Sequence, residues 1–223
     1  VRGRNHTATG FTADTFEQVT AADPTQIIAV NQAVDARTKG SLEEIAPTTV
    51  KPNGYEDWQV PWEKQVETIA DAVGKKDEGD KLIDDTEKAF EEFRHEHAEL
   101  QDKSAAIVMP YDGKIGLYTE EDGRGQFIED LGMEIPDALQ GDGGSFFVDI
   151  APENYAKLNQ VDYLFVLDYN GSSDALKKDK TFQGLDIVKD DRVRYLDTDT
   201  GNAMSMPNPV TIPWAVDKFE EKL

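Results

Sequence analysis

The chain has 223 residues and no cysteine, and its 45 Asp and Glu residues against 23 Lys and Arg leave a formal net charge of -22. Such a surface repels nucleic acid and anionic lipid, and the missing cysteines exclude a disulfide framework, a thiolate zinc site and a cysteine nucleophile. No run of about 18 apolar residues occurs, so no membrane-spanning helix is predicted.

The length suits one good core or two modest ones. The opening Val1-Arg2-Gly3-Arg4 has no initiator Met, charged n-region or apolar leader, and reads as a fragment or trimmed product. Thr12 is placed to cap a helix carrying Phe16 and Val19; Asp23-Pro24 ends it, and Ile27 to Val30 suits a parallel strand. Ser41 to Glu44 starts a short helix that Pro47 closes, with Thr48 to Val50 as the next strand. From Trp58 to about Gln101 the pattern is helical: Trp62, Val66, Ile69 and Val73 recur at helical spacing, Gly74 suits a C-cap, and a second run carries Leu82, Ile83, Ala89, Phe90 and Phe93.

Strand and helix signals then alternate: strands over 105–109, 163–167 and 192–196, and helices over 125–131, 153–158, near Phe182 and over 213–220. This alternation predicts a parallel sheet with helices on its faces. The organisation expected is an α/β lobe over 1–57, connector helices over 58–102 and a second α/β lobe over 103–223.

Ligands of open α/β sheets bind outside the carboxyl ends of the strands. The residues expected there are Asn31 and Gln32, Tyr111, Asp168, Tyr169 and Asn170, and the segment 202–206, which includes Met204. This set is rich in aromatic and amide groups and poor in catalytic ones. Arg124 is the one convergent cation, at a helix start where guanidinium and first-turn N–H groups meet an anion together; the alternative is an exposed Arg paired with Glu120, Glu121 or Asp122. Trp58, in a polar loop, either stacks on a planar ligand or covers a core edge, whereas Trp62 and Trp214 read as core.

Other motifs fail on geometry. His95 and His97 are two residues apart and do not share a helix face, so a solvated surface is expected. The run from Asp197 to Asn202 has its Gly at the wrong place for a calcium loop, and Asn208 stands where a bidentate Glu is needed. Gly123-Arg124-Gly125 lacks the third Gly of a dinucleotide fingerprint. No catalytic residue and no resident metal or cofactor is predicted.

Three segments carry a family resemblance: SLEEIAPTTVKPNGYEDWQVPWEKQVETIADAVG from Ser41 to Gly74, DGRGQFIEDLGMEIP from Asp122 to Pro136, and VTIPWAVDKFEEKL at the C-terminus. Their order and spacing resemble the class III periplasmic binding proteins of the ferric siderophore, heme and cobalamin type, which feed ABC importers. The resemblance implies an α/β fold of two Rossmann-like lobes joined by a long helix, with the first lobe incomplete through N-terminal truncation. It implies an extracytoplasmic receptor, periplasmic or a cell-surface lipoprotein whose lipid anchor is absent from this chain, that hands an Fe(III)-siderophore to a permease. Arg124 then faces the chelate, and Glu17 and Glu153, in TADTFEQV and APENYAKL, dock on the permease. A helical connector predicts modest closure. Heme or cobalamin is the alternative cargo. A secreted α/β hydrolase, and a surface protein with a vestigial cleft, are the alternatives from other classes.

Overall fold

The computed structural model describes residues 11–141 and 144–223; the opening Val1 to Arg4 lies outside them. The chain divides into two compact units, residues 1–81 and 82–223.

In the first unit, α1 (Ala13–Ala21) starts as its sequence predicts. Thr12 Oγ1 accepts the Thr15 N–H at 3.3 Å while Thr15 Oγ1 accepts the Thr12 N–H at 3.3 Å, so each hydroxyl satisfies a donor that a helix start leaves open. β1 (Ile27–Ala29) pairs in parallel with β2 (Thr48–Val50). Between them α2 (Ala36–Glu43) begins well before Ser41, the start expected from sequence. Asp35 explains the shift: its Oδ1 accepts the Thr38 N–H at 2.7 Å and caps the helix before Ser41 is reached. The predicted long helix also breaks. Residues 58–61 are a loop, with Trp58 at φ 69°, and α3 (Trp62–Ala72) follows Pro61, which cannot donate to a preceding turn. Trp62 is buried, as expected. Gly74, at φ 68°, ends the helix, and α4 (Lys76–Glu96) follows.

The second unit holds a five-stranded sheet in the order β5-β4-β3-β6-β7. β3 (Ala105–Tyr111), β6 (Tyr163–Asp168) and β7 (Val193–Asp197) run parallel, joined by helical crossovers. β4 (Lys114–Tyr118) and β5 (Phe147–Ile150) run antiparallel, so the sheet is mixed and not all parallel. The cause is the two-residue turn Asp112-Gly113, with φ of 45° and 75°, whose left-handed residues reverse the chain with the twist a hairpin needs.

The two faces of this sheet bury different sets. Ala106, Val108, Ile115, Leu117, Leu164 and Val166 pack on one side, under the 3-10 segment Pro152–Gln160 and the short helices α6 (Ser173–Leu176), α7 (Lys180–Gln183) and α8 (Asp186–Lys189). On the other side lie α5 (Gly123–Asp130), α9 (Thr198–Ser205) and α10 (Thr211–Glu220). Phe219 of α10 stands 4.5 Å from Phe165 and 6.1 Å from Phe127 between ring centroids. Each such fully buried ring contributes on the order of 2–3 kcal/mol.

Two side chains depart from expectation here. Trp214 is 40% exposed, because α10 buries Ile212, Ala215, Val216 and Phe219 and leaves Trp214 off that stripe. His97 is not on a solvated helix surface: its ring meets Glu220 at 2.9 Å and Glu99 at 3.4 Å and packs on Phe93. Those two acidic partners hold its pKa above the usual value despite the opposing effect of burial.

Candidate functional site

At the end of β4 the chain turns sharply into α5. Gly125 makes the turn close: its backbone lies so near the Thr119 carbonyl that a Cβ there would overlap it. Asp122 caps α5, with Oδ1 accepting the Arg124 N–H at 2.9 Å. The first-turn donor that sequence reasoning offers to an external anion is thus taken by the chain itself.

The Arg124 side chain folds back over this cap. Nε donates to Asp122 Oδ1 at 2.8 Å, and Nη2 donates to Asp122 Oδ2 at 3.4 Å and to Ser205 Oγ at 2.8 Å. The guanidinium carbon sits 3.7 Å from the centre of the Tyr118 ring, a cation–π stack on a desolvated face. Tyr169, just after β6, lies close enough for its phenol to feel the Arg124 charge. Only 13% of the Arg124 side chain and 9% of the Asp122 side chain remain exposed.

Burial is the leading influence on all four ionisable groups. It pushes Asp122 up, against the pull of the Arg124 charge. It pushes the Tyr118 and Tyr169 phenols up as well, so both stay neutral hydrogen-bonding groups. It opposes the charge of Arg124, yet Asp122 and then Tyr118 more than offset it, and the guanidinium is held above its ordinary value. Removing one member of such a buried pair typically costs about 3–5 kcal/mol, since the other charge is left without compensation.

The strand register carries the same sheet face outward from Tyr118, through Met109 and Gly116 to Tyr111, Lys114, Phe147 and Asp149. Tyr118 Oη donates to Met109 Sδ at 3.6 Å. A Cβ at Gly116 would stand 3.1 Å from Tyr111 and 3.2 Å from Phe147, so the glycine keeps a shallow gap between two rings. The Tyr111 hydroxyl donates to Asp149 Oδ1, and Lys114 Nζ donates to Asp149 Oδ2 at 2.8 Å. Lys114, then Tyr111, hold the Asp149 carboxyl below its usual range.

Of the residues singled out from sequence, the structure brings Tyr169 near Arg124 and places Tyr111 on the same sheet face. Asn170, at φ 52°, is exposed beside them, its N–H donating to Thr198 Oγ1 at 3.1 Å. Met204 is fully buried in α9, a helix where a loop was expected; Asp197 caps it by accepting the Thr200 N–H at 2.9 Å. Asn31 and Trp58 belong to the first unit. There Asn31 Oδ1 accepts the Val60 N–H at 3.3 Å, and Trp58 is 41% exposed. Glu17 and Glu153 are both exposed.

Sequence reasoning missed Met109, Lys114, Tyr118 and Asp149; Asp122 was among the partners offered for Arg124, and Ser205 lies in the expected segment 202–206. The available signal was Asp112-Gly113, a hairpin turn between apolar runs, which implies a strand ending at Tyr118. Among the described residues, no group of three or more His, Asp or Glu side chains is arranged to hold a metal ion.

The fold is that of an α/β solute receptor. The chain belongs to the periplasmic binding protein family, whose sequence model matches residues 8–200. No curated protein sequence matches it significantly.

Solved structures similar to it include the iron uptake ABC transporter substrate-binding protein PiaA from Streptococcus pneumoniae TIGR4, at 25% identity and TM-score 0.78, covering 92% of this chain and 72% of that one. A periplasmic solute binding protein from Mycobacterium smegmatis is also similar, at 25% identity and TM-score 0.79, covering 92% of this chain and 70% of the other. Staphylococcus aureus SirA shares the fold at 20% identity and TM-score 0.74, with 94% and 79% covered. The fold class expected from sequence, the α/β periplasmic binding protein class, is the one observed. No helix among the described residues is long and apolar enough to cross a membrane.

Proposed function

We propose that this protein captures a ferric siderophore outside the cytoplasm and delivers it to the permease of an ABC importer, without chemistry on the ligand. The carrying observation is the Arg124–Tyr118 stack at the strand ends, flanked by Tyr169, in a fold shared with PiaA, a protein of iron uptake also solved with ferrichrome. A hydrogen-bonding cation braced on an aromatic face suits the oxygen-rich periphery of an iron chelate. Heme fits less well, since Tyr111, the exposed phenol suited to axial ligation, is already bound to Asp149.

Titration of tryptophan fluorescence with a ferric hydroxamate, a ferric catecholate, heme and cobalamin tests the reading. Saturable quenching by an iron chelate, weakened at least about tenfold in Arg124→Ala, is the expected result. Silence across all four ligands defeats it.

Glu17 and Glu153 serve as permease contacts in this proposal. Both are exposed, and neither is needed for the Arg124 group. Exposed carboxylates of this kind set orientation and encounter rate against a basic partner. In vesicles holding the cognate importer, Glu17→Ala with Glu153→Ala is expected to abolish chelate uptake and leave chelate affinity unchanged. Normal uptake by the double variant removes the docking role.

A further inference from the structure

We infer that Asp122 determines the charge class of the ligand: by neutralising Arg124 from within, it makes the site select a ferric chelate of zero net charge over an anionic one. The inference rests on the siderophore-receptor reading and adds a selecting residue to it.

A cation that recognises an anionic ligand is most effective when its charge is uncompensated until the ligand arrives. Arg124 is not in that state. Its Nε and Nη2 face both carboxylate oxygens of Asp122, and both side chains are largely withdrawn from solvent. Lys114, the cation on β4, is likewise paired, with Asp149. Arg124–Asp122 at one end and Lys114–Asp149 at the other therefore each close a charge pair within the site, and Tyr111, Phe147, Met109 and Tyr118 supply its apolar surface.

A trianionic chelate brought here loses hydration and meets a carboxylate with each guanidinium or ammonium group it approaches. A neutral chelate gives up less hydration, and it still receives hydrogen bonds and aromatic contact. The surrounding molecule, at a formal charge of -22, adds repulsion against an anionic ligand only.

Asp122 acts through Arg124 and need not touch the ligand, so it is a positioning residue. Its test is a selectivity ratio, which a purely structural role would not move. The probes are ferrichrome, a neutral trihydroxamate complex, and ferric enterobactin, a trianionic tricatecholate complex, titrated into the full chain by fluorescence at fixed ionic strength. The wild type is expected to bind ferrichrome at least about tenfold more tightly. Asp122→Asn keeps a side chain suited to the helix cap and removes the charge; it is expected to narrow that ratio by about tenfold or more, chiefly through tighter binding of ferric enterobactin. Asp122→Ser, also a good cap, gives the same narrowing by an independent route.

An unchanged ratio in both variants, with circular dichroism showing them folded, overturns the inference while leaving the receptor reading intact. So does a wild type that prefers the trianionic chelate. A wild type that binds neither chelate, nor any other iron chelate, overturns the receptor reading, and the inference falls with it.

Discussion

Gly125→Ala is expected to lower the thermal midpoint by roughly 5–10 °C and to weaken chelate binding in the same variant. The methyl group has no space: its nearest neighbours are the Thr119 carbonyl and the Glu120 backbone nitrogen, and backbone cannot rotate aside as a side chain does. Relief requires α5 to move away from the end of β4. That movement separates Asp122 and Arg124 from Tyr118, on β4, and from Ser205, on α9. Overpacking of this type costs about 1–3 kcal/mol and here falls on a buried ion pair as well.

Gly40→Ala is the control. Gly40 lies inside α2 with nothing within 4 Å of its added Cβ, so the change is expected to be neutral or to stabilise by up to about 1 kcal/mol. Calorimetry of the two variants decides the matter. A wild-type midpoint for Gly125→Ala would show that the β4–α5 junction yields easily and is not what holds the Arg124 group.

Raising NaCl from about 0.1 M to about 1 M is expected to raise the midpoint of the wild type by about 5–10 °C. A charge of -22 on 223 residues repels itself more in the folded state than in the expanded chain. On α4, Glu87 and Glu91, and Glu92 and Glu96, are like charges one helical turn apart on exposed positions. The pairs that oppose them, such as Lys88 with Asp85, are exposed and contribute little. At about 1 M salt the screening length falls to about 3 Å, which removes most of the long-range repulsion and little of the buried Arg124–Asp122 attraction. Equal shifts in NaCl and KCl would identify screening as the cause. A midpoint that stays flat or falls with salt would mean that the acidic surface is not a net destabilising term.

Local chemistry explains which elements were legible. Thr12 and Gly74 specify a helix start and a helix end within one or two turns and appear as read; the spacing from Trp62 to Val73 marks a helix, but α3 buries Trp62 and Ala70 and leaves Ile69 and Val73 exposed. Strands β3 and β6 announce themselves as short apolar runs because both of their faces are largely buried. β4 and β5 do not, since half of their residues face the site and are polar or aromatic.

The capping aspartates were also passed over. Asp35, Asp122 and Asp197 each start a helix through a single hydrogen bond to a backbone N–H two or three residues on, a signal easily lost in a chain with 45 acidic residues.

By itself, then, the sequence determined the α/β class, most helix positions and the placement of Arg124 at a helix start, all of which follow from near-neighbour geometry. The Arg124–Asp122 pair, two residues apart, was one of the alternatives open from sequence; only the tertiary structure decided that Arg124 lies on Tyr118 and reaches Ser205, and that Lys114 is taken by Asp149. Those partners come together through strand pairing and helix packing. The energy of a charge depends on what surrounds it in space, and sequence distance does not record that.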